Sequence, residues 1–80
     1  MKITLMAYGV AKDILNSRRT ELHIPEGQTI NNLKQQLIEA HPRFSKLESL
    51  RFAIGEHYQS DDYLLKDGEE LVIIPPVSGG

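Results

Sequence analysis

The segment Leu71-Val72-Ile73-Ile74-Pro75-Pro76-Val77-Ser78-Gly79-Gly80 joins a hydrophobic run to two prolines and a Gly-Gly carboxylate. Residues 71–74 are continuously apolar, which predicts a strand in the middle of a sheet, covered on both faces. Pro75-Pro76 ends that strand, because proline has no N–H to donate to a sheet ladder. Six extended residues span roughly 20 Å. We therefore predict a folded domain over residues 1–74 and a flexible tail over residues 75–80.

The composition is that of one small globular domain. Of the 80 residues, 40% are hydrophobic and 25% charged, ordinary values for a folded soluble chain. The net charge of −2 comes without a clustered basic run, so nucleic-acid binding is not predicted. The absence of cysteine excludes disulfides, thiolate metal sites and sulfur carried on a cysteine. With neither a signal-sequence pattern nor an apolar run of membrane-spanning length, the prediction is a cytoplasmic protein that does not enter a membrane.

Alternation of apolar and polar residues predicts three more strands. The pattern covers Lys2 to Tyr8, Thr20 to Ile24 and Leu50 to Ile54, with the period of two that a strand with one buried face shows. An Asp67-Gly68 pair predicts the tight turn into the last strand, Glu70 to Ile74. The predicted core residues of these three strands are Ile3, Leu5, Ala7, Leu22, Ile24, Leu50, Phe52 and Ile54. The polar segment 56–65 is predicted to be irregular, with Tyr58, Tyr63 and Leu64 as its anchors.

Two helices are predicted between the strands. The first, Val10 to Leu15, has Val10 and Ile14 on its core side. The second begins after Thr29, a favourable N-cap residue, and ends before Pro42. Helices gathered on one face of a sheet make the fold class α+β. The second helix is predicted to bury Ile30, Leu33, Leu37 and Ile38 and to turn Asn31, Asn32, Lys34, Gln35, Gln36 and Glu39 to water, while Phe44 and Leu47 cap the core after it.

The side chains form no recognisable active site. His23, His41 and His57 lack the spacing of a metal-binding pair, and the adjacent Asp61-Asp62 is more typical of a solvated turn than of an acid–base pair. The glycines give neither a P-loop nor a dinucleotide-binding motif. We therefore predict no metal site and no bound cofactor on this chain.

The carboxylate of Gly80 remains as the candidate reactive group. With a reference pKa of about 3.3 to 3.7 it is ionised at neutral pH and is a poor electrophile. Activation by ATP as an acyl adenylate would allow a nucleophile to replace AMP, and a sulfur nucleophile would leave a thiocarboxylate. Glycine suits this role because it can enter a narrow channel. The alternative is a frayed terminus, or glycines left by cloning.

The final sixteen residues carry a family resemblance. The segment Leu65 to Gly80 resembles, almost residue for residue, the ending L-x-D-G-D-E-V-x-hydrophobic-hydrophobic-P-P-V-[ST]-G-G of the small sulfur-carrier subunits of molybdopterin synthase, the MoaD family. The first strand, the turn from Pro25 to Thr29 and the chain length agree with it. This family has the ubiquitin-like β-grasp fold, so the resemblance implies a mixed sheet of four to five strands with one main helix packed on one face.

The resemblance also implies a function and two partners. An E1-like adenylating enzyme, MoeB-like, would use ATP to activate Gly80, which would then become a thiocarboxylate. The tail residues Val77, Ser78 and Gly79 would enter a channel in the large catalytic subunit of molybdopterin synthase, which is MoaE-like. There the sulfur would pass to cyclic pyranopterin monophosphate and build the dithiolene that later holds molybdenum or tungsten. Two small and two large subunits are expected in the complex, with the catalytic side chains on the large one.

The predicted partner contacts lie at the end of the last strand and beside it. They are Ile74, Pro75 and Pro76, together with Met6 and Val72. A strand face that carries Met6, Val72 and Ile74 would expose a larger apolar patch than a lone monomer needs. The alternative is that one or more of these side chains lie in the core.

Two other functions remain open at this stage. The same thiocarboxylate chemistry can serve thiamine, cysteine or tRNA thiolation, or conjugation to protein lysines, and the tail alone does not separate these routes. A second possibility, from a different class, is a non-catalytic β-grasp interaction module whose terminal glycines are incidental.

Overall fold

The computed structural model describes residues 1–46, with the side chain of Lys46 excepted, and residues 50–74. Leu47 and the predicted tail, residues 75–80, lie outside the described residues. The described chain forms a five-stranded sheet in the order β2-β1-β5-β3-β4. The strands are β1 (Lys2–Ala7), β2 (Arg19–His23), β3 (Arg51–Ile54), β4 (His57–Gln59) and β5 (Glu70–Ile74), and the helices are α1 (Gly9–Leu15), α2 (Ile30–Ala40) and a short 3₁₀-helix (Pro42–Lys46).

The last strand, β5, is the centre of the sheet. It runs parallel to β1 and antiparallel to β3, as expected for a strand in the middle of a sheet. Leu71 and Ile73 are buried together with the core residues of α2, whereas Val72 and Ile74 are half-buried. The prediction that this strand is covered on both faces is therefore wrong for one face, because α2 packs on the other side.

The helix α2 forms as predicted and closes the core. The hydroxyl of Thr29 accepts a hydrogen bond from the backbone N–H of Asn32 at 3.2 Å, and the Asn32 side chain accepts from the backbone N–H of Thr29 at 2.9 Å. This reciprocal cap satisfies N–H groups that lack a partner within the helix. The helix ends at Ala40, just before Pro42. Its fully buried residues are Ile30, Leu33 and Leu37, while Ile38 packs partly buried against the core and Phe44 is buried after it.

Lys34 is the exception on this helix. The alternation of apolar and polar residues predicts that it faces water, but only 18% of its side chain is exposed. Its ammonium lies 2.8 Å from Oδ1 of Asp61, in a turn that also accepts a backbone hydrogen bond from Asn31 N–H. The turn covers one flank of α2, which the local sequence of the helix does not reveal.

The first helix presents a different side to the core from the predicted one. Ala11 is fully buried and Ile14 and Leu15 are partly buried, whereas Val10 is exposed. Residues separated by three or four positions share one side of a helix, and each residue turns about 100° from the previous one. The buried side is therefore centred near Ala11, between Ile14 and Leu15, and Val10 lies about 90° from that centre, at the exposed margin.

A short edge strand replaces part of the predicted irregular segment. β4 pairs antiparallel with β3 after a turn at Gly55, whose φ of 63° is in the left-handed region. Two of the three predicted anchors are wrong, because Tyr58 and Leu64 are exposed, while Tyr63 packs partly buried against the core and Leu65 is buried instead. β4 lacks an apolar face because it lies at the edge of the sheet, so its sequence carries no alternation to detect.

The Asp67-Gly68 turn ties the start of β5 to β1, as its sequence predicts. Gly68 has a φ of 83°, and Oδ1 of Asp67 accepts a hydrogen bond from the backbone N–H of Lys2 at 2.7 Å. The hydroxyl of Tyr63 donates to Oε2 of Glu69 at 2.7 Å, and this bond to the carboxylate raises the pKa of Tyr63 above its ordinary value. These bonds hold β5 in register beside β1.

We expect Leu37→Ala to lower the free energy of unfolding by about 2 to 5 kcal/mol, because the Leu37 side chain is only 4% exposed and its truncation leaves a cavity in the core. Gln35→Ala, at an exposed position of the same helix, should change it by about 0.5 kcal/mol or less. Urea denaturation followed by circular dichroism measures both. Equal effects of the two substitutions would contradict this packing of α2.

Candidate partner-binding face

The face of the sheet opposite α2 carries a continuous apolar row, which consists of Met6, Val72, Ala53 and Tyr58. Met6 on β1 is opposite Val72 on β5, Val72 is opposite Ala53 on β3, and Ala53 is opposite Tyr58 on β4. Because side chains alternate between the faces of a strand, and the neighbours of Met6, Val72 and Ala53 are buried in the core, the row faces away from α2. We call this side of the sheet the open face.

The side chains of the apolar row differ in exposure from one strand to the next. Ala53 is 5% exposed because its small side chain lies between larger neighbours, whereas Tyr58 at the edge is 62% exposed. Met6 and Val72 are half-buried. The row therefore forms a shallow apolar strip with an aromatic ring at one end, and aromatic side chains are enriched at protein interfaces.

The structure brings together the described residues that the sequence marks as partner contacts. Met6 and Val72 are direct neighbours, and Ile74 lies on the same face two residues further along β5, opposite Arg51. None of these three side chains is fully buried, so each has exposed surface that is available for contact with a partner. The sequence does not reveal that Ala53 and Tyr58 extend this surface, because their position depends on pairing between distant strands.

Charged side chains border the row. Arg19 lies opposite Met6 at the β2 end, and its guanidinium is 3.7 Å from the carboxylate of Glu70. At the other end, the Arg51 guanidinium lies 5.7 Å from the centre of the Tyr58 ring, within the range of a cation–π contact. An apolar centre with a polar rim is the common arrangement of a protein–protein interface.

The position of β5 relates the open face to the predicted tail. β5 and β1 run parallel, with Met6 opposite Val72 and Ile73 opposite Ala7, so Ile74 lies beyond the Met6–Val72 pair at the end of the sheet, opposite Arg51. The described sheet ends at this point of the open face, in its central strand. The predicted roles of Pro75, Pro76, Val77, Ser78, Gly79 and Gly80 concern residues outside the described part and stay predictions.

The adjacent side chains of Asp61 and Asp62 bond to other residues of this chain. Asp61 pairs with Lys34, and the side chain of Asp62 accepts a hydrogen bond from the hydroxyl of Ser60, so the Asp61-Asp62 pair belongs to a turn. Within residues 1–46 and 50–74, no three His, Asp or Glu side chains are placed to hold a metal ion. No helix in these same ranges is long and apolar enough to cross a membrane.

Known proteins resemble this chain in both sequence and fold. A molybdopterin synthase sulfur carrier subunit of Chlamydomonas reinhardtii is 31% identical, with both chains covered completely. The complex of subunits 1 and 2 of the molybdopterin-converting factor from Helicobacter pylori contains a similar chain, with a TM-score of 0.67, 22% identity and full coverage of both chains. Small archaeal modifier protein 1 of H. volcanii matches with a TM-score of 0.79 and 16% identity over 95% of this chain and 98% of that one.

The two structural similarities show the fold. The predicted α+β class and the ubiquitin-like β-grasp, with a mixed five-stranded sheet and one main helix on one face, are confirmed. The sequence matches the ThiS family over residues 8–80, a range that begins just after β1 and includes the whole Gly-Gly segment. Together with the full-length relative from Chlamydomonas, this match shows that the chain belongs to the ThiS family.

Proposed function

We propose that this chain is the sulfur carrier subunit of a molybdopterin synthase. The similarity over the full length to a subunit of that name carries the proposal, and the Pro-Pro-Val-Ser-Gly-Gly segment supports it. One feature of the molecule fits this function, because β5 ends at Ile74 next to an exposed apolar row.

The chemistry takes place on Gly80. An adenylating E1-like enzyme binds ATP, and the Gly80 carboxylate attacks the α-phosphate, so that pyrophosphate leaves and an acyl adenylate forms. A sulfide-level nucleophile (HS⁻) then attacks the carbonyl carbon, AMP leaves, and loss of the proton gives the thiocarboxylate with no change of oxidation state. The large synthase subunit accepts the tail, with Val77, Ser78 and Gly79 in its channel, and the sulfur passes to cyclic pyranopterin monophosphate. This chain binds no cofactor itself, and the ATP belongs to the activating partner.

The open face docks both partners. Each partner has to receive the same end of the chain, and the apolar row, with Ile74 beside it, is the surface next to that end. Pro75 and Pro76 extend this contact. Because the row and its rim have the composition of an interface, we assign the large subunit to it in a complex of two small and two large subunits in the cytoplasm.

A second candidate keeps the tail chemistry and changes the acceptor. The chain shares its fold with small archaeal modifier protein 1, and the alternative acceptors are protein lysines or the thiamine, cysteine and tRNA thiolation routes, which use the same terminal group. The full-length sequence similarity to a molybdopterin synthase subunit supports the first candidate more directly.

Val72→Lys should weaken binding to the large synthase subunit by about 30-fold or more, as for an interface hot spot of about 2 kcal/mol. It puts a charge in the centre of the apolar row and leaves the core side chains of β5 in place. Glu21→Lys puts the same side chain on the open face outside the row, on the edge strand β2, and should change binding by about threefold at most. Isothermal titration calorimetry measures both, and circular dichroism checks folding. Unchanged affinity of folded Val72→Lys would contradict docking at this face.

Co-expression with the adenylating enzyme and a sulfur donor should convert Gly80 to a thiocarboxylate, because the carboxylate is the group that is activated. Intact mass spectrometry should show one oxygen replaced by sulfur. Deletion of Gly79-Gly80 should abolish this product and all sulfur transfer while the thermal unfolding midpoint stays the same, whereas Gln35→Ala should be modified normally. Full activity of the deletion variant would identify the chain as an interaction module with incidental glycines.

The acceptor can be identified by genetic rescue. We expect the chain to restore molybdoenzyme activity in a strain that lacks the small synthase subunit, because the tail must fit the large subunit's channel. The variant without Gly79-Gly80 serves as the control. Rescue of a thiamine or cysteine auxotroph instead, or covalent attachment to protein lysines with no rescue, would favour the second candidate.

A further inference from the structure

A cleft lies between α2 and the β4 edge of the sheet. Its volume is about 240 Å³, and its lining includes Lys34, Leu50, Arg51, Tyr58, Ser60 and Asp61. Sites for small molecules and cofactors typically have about 300 to 1,000 Å³. The cleft is smaller than these sites, which favours a single side chain of another protein as its occupant.

The charges of the cleft select an anion. Lys34 and Arg51 are the basic residues of its lining and Asp61 is the acidic one, so the lining residues carry one more positive than negative charge. Because only 18% of the Lys34 side chain is exposed, salt screens its charge less than that of a fully solvated lysine. An ammonium has three donors, and Asp61 Oδ1 accepts one of them at 2.8 Å.

The cleft is continuous with the open face. Tyr58 is the last member of the apolar row, and Arg51 lies opposite Ile74 on β5, so two residues of the cleft lining also belong to the partner-binding face. A protein that covers the apolar row reaches the mouth of the cleft. The charge of the cleft and its position together indicate an acidic side chain on the docked partner.

We propose that this cleft receives an Asp or Glu side chain of the large synthase subunit when that subunit docks on the open face. The inference rests on the proposed function and adds an ionic contact to the apolar one. The incoming carboxylate binds Lys34 and Arg51, while Tyr58 and Leu50 shield the pair from solvent. Hydrogen bonds between charged groups in such a partly covered position are stronger and more directional than exposed ion pairs.

The carboxylate of Asp61 has two opposing effects on the binding of a partner's carboxylate. Without the partner its carboxylate holds Lys34 in place, but it also repels a second carboxylate that approaches the same ammonium. Removal of the Lys34 charge and removal of the Asp61 charge therefore change partner binding in opposite directions. A purely structural ion pair predicts the same direction for both.

The test measures binding of the purified large subunit to the full chain by calorimetry at about 50 mM and about 300 mM salt, where screening differs. Lys34→Met should weaken binding about tenfold at low salt and reduce its salt dependence, and Asp61→Asn should tighten binding about threefold. Lys66→Met removes an exposed positive charge from the turn that precedes β5, at the opposite end of the strand from Ile74, and should change binding less than twofold. The thermal unfolding midpoint of each variant shows that it is folded.

Other outcomes would overturn the inference. If the unsubstituted chain binds, Val72→Lys does not bind, and Lys34→Met and Asp61→Asn bind equally well, the cleft has no part in docking and the proposed function stands. Weaker binding by both charge variants would identify a purely structural pair. Saturable NMR shifts around Lys34 on titration with acetate alone would assign the cleft to a free small anion. If the unsubstituted chain does not bind the large subunit, both proposals fail.

Discussion

The pairing of β5 between β1 and β3 is the constraint on which the rest of the structure depends. β5 is the last strand in the chain, yet it occupies the centre of the sheet, so the sheet is complete only after nearly the whole domain has been arranged. This placement puts Leu71 and Ile73 into the core and Val72 and Ile74 on the open face. One strand thus supplies two core residues, a central member of the apolar row and the end of the described sheet at Ile74.

The sequence predicts the elements whose own residues show a period or a cap. α2 follows from its apolar spacing and Thr29, and β1 from its period of two, even though Met6 makes its second face partly apolar. β4 does not, because a three-residue edge strand contributes polar side chains and is defined by its pairing with β3. The exposure of Val10 and Lys34 differs from the prediction for a related reason, because it depends on which side of each helix a distant segment covers. Local patterns therefore predict the α+β class, whereas the β-grasp architecture follows from the family resemblance and the shape of the surface from neither.

The residues of the candidate site also divide into those predicted from local patterns and those placed by pairing between distant strands. Met6, Val72 and Ile74 can be read from the alternation of β1 and β5, and the tail from its composition. Ala53 and Tyr58 join them only through the register of β3 with its two neighbours. The cleft forms where α2 packs against the turn that holds Asp61, and these two segments are far apart in the sequence. The proposed carrier function needs a terminal group without a bulky side chain and a specific surface for its partners, and in the sequence the Gly-Gly segment follows directly on the strand that carries Val72 and Ile74.

The polar edge strand β4 has a consequence for the free protein. An exposed apolar strip on a small domain favours self-association, and an open sheet edge offers backbone groups that can pair with another copy into extended aggregates. Here the strand that borders the strip is three residues long, has a left-handed glycine turn before it and carries histidine and glutamine beside Tyr58. The outer strand on the opposite side, β2, alternates charged residues along its open face. These edges disfavour edge-to-edge pairing between copies, so the apolar row can stay exposed without a strand edge that templates aggregation.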